Sequence, residues 1–108
     1  MKHTLQRKEV TVQHPNGLQM ISAGLLAKEA QKYQSSIYLT SNAAKADAKS
    51  VLDILTLAAG KGARLFIEAE GRDASTAVQH LSNLFDHVLE NVPADKAGPY
   101  DHLYQAHL

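Results

Sequence analysis

The apolar residues of this chain change their spacing repeatedly, from every second residue to every third or fourth and back, and this constrains the fold more than any single motif. Val10 and Val12 alternate with Thr11 and Gln13, the period of a strand with one buried face, and His14-Pro15-Asn16-Gly17 ends it. From about Ile21 to Tyr33, the residues Ala23, Leu26, Ala27, Ala30 and Tyr33 recur at helical steps and form one amphipathic stripe. Ser36 to Thr40 returns to the strand period with Ile37 and Leu39 inward, and Ser41-Asn42 turns into a short strand around Lys45 to Asp47. Ser50 precedes Val51, Leu52, Ile54, Leu55 and Leu57, so it reads as the N-cap of a short helix that Gly60 and Gly62 close, with Ile54 and Leu57 inward. Arg64 to Glu70 alternates again, and Gly71-Arg72-Asp73 supplies a turn and an N-cap. Ala74, Ala77, Val78, Leu81, Leu84, Phe85 and Val88 then define a third helix from about Ala74 to Leu89.

The order strand, helix, strand, strand, helix, strand, helix predicts an α+β fold. Its economical form is one four-stranded, mainly antiparallel sheet with three helices on one face and solvent on the other. A chain of 108 residues has room for one such core. Residues 1–90 therefore read as the domain, and residues 91–108, where Pro93, Gly98 and Pro99 break the pattern, as a loosely packed or mobile C-terminal extension.

Charge and composition exclude several classes of function. Eleven basic and eleven acidic residues cancel, so no net field holds the chain to nucleic acid or to an anionic membrane, and neither is an expected partner. The absence of cysteine removes disulfides, thiolate nucleophiles and thiolate metal sites, and favours a cytoplasmic location. Met1 to Val12 lacks the apolar stretch of a signal peptide, and no run is long enough to cross a bilayer. Gly60, Gly62 and Gly71 fit no phosphate-loop or dinucleotide fingerprint. His80 and His87 are seven residues apart without a spaced carboxylate, so neither a metal nor another cofactor is expected. His14 reads as a surface histidine beside a turn, and His3, His80, His87, His102 and His107 as similarly ordinary.

The stretches EVTVQHPNGL, AKEAQKY, LTSN, AKS and EAEGRDASTAVQHL resemble HPr, the histidine-containing phosphocarrier family of the sugar phosphotransferase system, over roughly Glu9 to Glu90. The resemblance implies an open-faced β-sandwich and a carrier or regulator, not an enzyme. In that family a GLHxRPA segment places a histidine at the N-terminus of the first helix, where it takes phosphate from enzyme I and passes it to sugar permease subunits. This chain reads GLQMISA, with Gln19 at the histidine position, Ile21 at the arginine position and Ser22 at the proline position. Phosphoryl transfer there requires an imidazole nucleophile, helix amides around the phosphoryl oxygens and a guanidinium for their charge. A glutamine amide nitrogen has its lone pair delocalised into the carbonyl and is no nucleophile, so no catalytic residue and no productive encounter with enzyme I are expected.

The same resemblance matches Ser50, within AKS, to a serine that an ATP-dependent HPr kinase modifies in some members. The catabolite repression homologues of HPr carry glutamine for histidine, keep that serine and act as regulators, which implies the same here. Val51, Leu52 and Leu55 match an exposed apolar docking patch, which Met20, Ile21 and Leu25 extend. Lys28 keeps one basic residue of its rim, whereas Gln31 and Asp53 replace others. The partners implied are HPr kinase/phosphorylase and a transcription regulator or metabolic enzyme, with a second copy of the chain as another occupant of the patch. Ser50 is equally explained as a helix cap worth about 1 kcal/mol. Two further readings are a divergent phosphocarrier using another histidine such as His14 and a protein-interaction module without phosphorylation.

Overall fold

The computed structural model describes residues 4–42 and 44–94. Strand β1 spans Thr4–Thr11, helix α1 Met20–Ala30, β2 Ser36–Thr40, β3 Lys45–Asp47, α2 Val51–Thr56, β4 Arg64–Gly71 and α3 Ala74–His87, followed by a 3-10 turn at Leu89–Asn91. The sheet order is β1-β4-β2-β3 and every pairing is antiparallel. The predicted element order and α+β class are thus the observed ones. Val10, Ile37, Leu39, Leu65, Ile67 and Ala69 on the sheet join Leu26, Ala27 and Ala30 of α1, Ile54 of α2, and Ala77, Leu81 and Phe85 of α3 in one core. Burying these side chains together is the main favourable term for a domain of this size. Among the described residues no helix is long and apolar enough to cross a membrane.

The elements differ from the sequence expectation mainly at their ends. β1 begins at Thr4, because its backbone pairs with β4 from Thr4 opposite Gly71 to Thr11 opposite Arg64, while the exposed side chains of Arg7, Lys8 and Glu9 carry no apolar signature. α1 stops at Ala30 and not at Tyr33. The Lys32 and Tyr33 amides reach back only three residues, to Glu29 and Ala30, which tightens the last turn out of the α-helical pattern. α3 stops at His87, and the 3-10 turn carries Leu89 into the core.

Asp73 occupies the N-cap position of α3, yet its carboxylate does not cap that helix. It accepts instead from the Gln34 and Ser35 amides, both at 2.9 Å, and from the Ser35 hydroxyl at 2.5 Å, tying the α1–β2 loop to the β4–α3 turn. Gly71 makes this approach possible. Its φ is +146°, and a Cβ there would lie 2.5 Å from Ser35 Oγ and 2.8 Å from Ser35 Cα. On the face of the sheet away from the helices, the Arg7 guanidinium lies 3.6 Å from the Phe66 ring centre and pairs with Glu68 at 2.9 Å, while Lys45 Nζ lies 4.2 Å from the Tyr38 ring centre. Cations over the rings let this open face carry two aromatic side chains in water.

Candidate functional site

Gln19 is the N-cap of α1, with extended φ and ψ of −122° and −173°. The Ser22 hydroxyl accepts from the Gln19 amide at 2.9 Å and lies 3.1 Å from the Gln19 carbonyl, forming the returning half of a capping box. A serine at this position thus closes the helix end that a proline could not. The loop before it is pressed against the segment after α2: the Leu18 amide donates to the Ala59 carbonyl at 2.8 Å. Gly17, at φ +75°, has no room for a Cβ, which would lie 2.4 Å from the Ala59 oxygen.

Ser50 caps α2, its hydroxyl accepting from the Asp53 amide at 3.2 Å. Its own amide donates to the Asp47 carbonyl at 3.0 Å, and Asp53 Oδ2 accepts from the Asp47 amide at 3.2 Å. The preceding residue is clamped from α1. Gln31 Nε2 donates to the Lys49 carbonyl at 2.9 Å, and Lys49 Nζ donates to the Tyr33 carbonyl at 2.7 Å. Leu18 meets the segment after α2, while Gln31 meets the segment before it, so the two helices run antiparallel. Gln19 and Ser50 therefore start different helices at opposite ends of the pair, about 16 Å apart along an 11-residue α1.

The apolar surface between these helices is narrower than the sequence suggests. Met20 and Leu52 are exposed, at 44% and 75%. Ile21 is half-buried, and Val51, Leu55 and Leu25 pack against the core, although Leu25 was expected off the buried stripe. The cause is the lateral packing of α2 on α1, which covers side chains that a lone helix would expose. Leu57 packs against the core and Ile54 lies within it, on the inward side expected of both. Lys28 is exposed in the last turn of α1, where a cation suits the helix dipole.

Two histidines depart from the sequence reading. His14 is buried at 6% exposure, with Nε2 2.8 Å from the Val92 carbonyl and Nδ1 accepting from the Asn16 amide at 3.0 Å. Its partner lies 78 residues away, so no local pattern marks it. With both ring nitrogens on backbone partners, it offers no lone pair to a phosphoryl donor. His80 joins α3 to α1: Nδ1 lies 2.5 Å from the Tyr33 hydroxyl, and Nε2 lies 3.2 Å from Glu29, which also binds Lys32 at 2.9 Å. The Lys32 hydrogen bond holds the Glu29 carboxyl below its ordinary value, while burial and then the Glu29 charge push the Tyr33 phenol up. His3, His102 and His107 lie outside the described residues, as do residues 95–108 of the extension. Among the described residues no group of three or more His, Asp or Glu side chains is placed to hold a metal ion.

An open antiparallel sheet under three helices, with capped helix starts at Gln19 and Ser50, defines a small α+β protein of the open-faced sandwich class. Residues 6–87 match the family model described as the PTS HPr component phosphorylation site. The chain belongs to the HPr family of the phosphotransferase system. The phosphocarrier protein HPr of Vibrio cholerae is 39% identical over 82 residues, covering 76% of this chain and 96% of that protein. The HPr-like protein Crh of Halalkalibacterium halodurans is 34% identical over 74 residues, covering 68% of this chain and 88% of that protein. The crystal structure of the phosphocarrier protein HPr from Bacillus anthracis superposes with a TM-score of 0.72 at 33% identity, covering 76% of this chain and 98% of that one.

Proposed function

We propose that this chain is a regulatory HPr-like protein, switched by phosphorylation of Ser50 and not a carrier of phosphate on histidine. The observation that carries the reading is Gln19 at the start of α1, where the phosphocarriers that GLQMISA resembles place their histidine. An amide cannot accept and pass on a phosphoryl group, and Ile21 brings no positive charge to hold one. The chain is similar both to phosphocarrier proteins HPr and to the HPr-like protein Crh, so Gln19 carries the choice of the regulatory branch. At Ser50, a phosphate ester takes over the role of the capping oxygen and adds charge at the favourable end of α2, with Asp53 opposing it. HPr kinase/phosphorylase is the modifying enzyme in this reading. A transcription regulator or metabolic enzyme reads the surface of Met20, Ile21, Leu25, Lys28, Val51, Leu52 and Leu55. This role is cytoplasmic and needs no cofactor.

The test is incubation of the full chain with ATP and HPr kinase, and separately with phosphoenolpyruvate and enzyme I, followed by intact mass, with Ser50→Ala as the control. Phosphate from ATP that disappears in Ser50→Ala is the expected outcome. Acid-labile phosphate from enzyme I overturns the proposal, and no phosphate from either donor reduces the chain to an interaction module.

A further inference from the structure

His14 sits in the loop that leads from β1 to the start of α1, buried and bonded through both ring nitrogens. A backbone amide can only donate, so Nδ1 accepts from Asn16. A carbonyl can only accept, so Nε2 carries the proton toward Val92. One neutral tautomer satisfies both bonds. Each bond ends on a segment that is itself tied down. On the loop side, the Gly17 amide donates to the His14 carbonyl and the Leu18 amide to Ala59. On the other side, the Asn91 and Val92 amides donate to the Val88 and Leu89 carbonyls, and Leu89 is buried. A single side chain therefore joins the segment after α3 to Asn16, three residues before Gln19.

We propose that His14 is a positioning residue, a latch through which the chain after α3 controls the geometry of the α1 N-terminus. A ligand or partner that moves residues around Val92 is then felt at Gln19. Imidazole suits this task because it points an acceptor and a donor to opposite sides at fixed separation. Asparagine can supply only the near group, facing Asn16, and glutamine only the far one, facing Val92. The latch stands apart from Ser50, which starts a different helix, so either proposal can fail without the other.

The test is amide hydrogen exchange, read residue by residue by NMR on the full chain, in a cycle of Val92→Gly, His14→Asn and the double variant. Loosening the segment with Val92→Gly is expected to speed exchange at Asn16 to Leu18 by about two- to tenfold, the range of one net hydrogen bond. In the His14→Asn background the same change is expected to leave these amides unaltered. His14→Gln provides a second uncoupled background should His14→Asn not fold. Equal acceleration with and without His14, or none in either, overturns the latch, as does an imidazole whose nitrogen correlations place the proton on Nδ1.

Discussion

Ala58 is the one non-glycine residue with positive φ among those described, at +49°, directly after the C-cap Leu57 of α2. That is the position where helices commonly place glycine, and an L side chain there crowds the following carbonyl. Ala58→Gly is expected to stabilise the protein by about 0.5–1 kcal/mol after the added flexibility of glycine is counted. A higher urea midpoint with unchanged slope is the check. Asp73 gives a second prediction at this scale. The Ser35 hydroxyl, then the Gln34 amide, lower its carboxyl from 3.8 to about 2. The fold therefore favours the charged form. Its contribution is present above 3.8 and fades as pH falls through about 2. In Asp73→Asn that acid-dependent part is missing, so the stability gap to the parent chain is expected to be widest near neutrality and to close across this interval. Urea melts at stepped pH measure it, and a gap that stays constant would rule the carboxylate out as the cause.

The element that depends most on its surroundings is α2. At six residues it is far below the length at which a helix holds in water by itself, so its cap and the burial of Ile54 sustain it. Ser50→Ala is expected to cost about 1 kcal/mol, and Ser50→Asp to stay close to the parent, because a carboxylate caps as well as a hydroxyl. Thermal unfolding of the two variants separates this structural role from any effect of phosphorylation. The cap was legible in the sequence, since Ser50 stands directly before an apolar stretch. The clamp on the neighbouring Lys49 was not, because Gln31 and Tyr33 lie on another element and meet it only after α1 and α2 pack.

On the scale of the molecule, the proposed partner surface is centred on the exposed Leu52 and Met20. Leu52→Lys is expected to leave the urea midpoint within about 0.5 kcal/mol, since the side chain is 75% exposed. The same change is expected to slow phosphorylation of Ser50 by HPr kinase. A kinase rate equal to that of the parent would remove Leu52 from the docking surface. The sequence by itself determined the element order, the face each element buries and the cap at Ser50, because periodicity and capping act within a few residues of the chain. Only the tertiary structure decided what depends on distant partners. Asp73 holds the α1–β2 loop and not its own helix, His14 is buried against Val92, His80 joins Tyr33 and Glu29, and Leu25 is covered by the packing around it. In each case the partner is remote in sequence or lies on another element. Local spacing carries no record of which segments the closing core brings together.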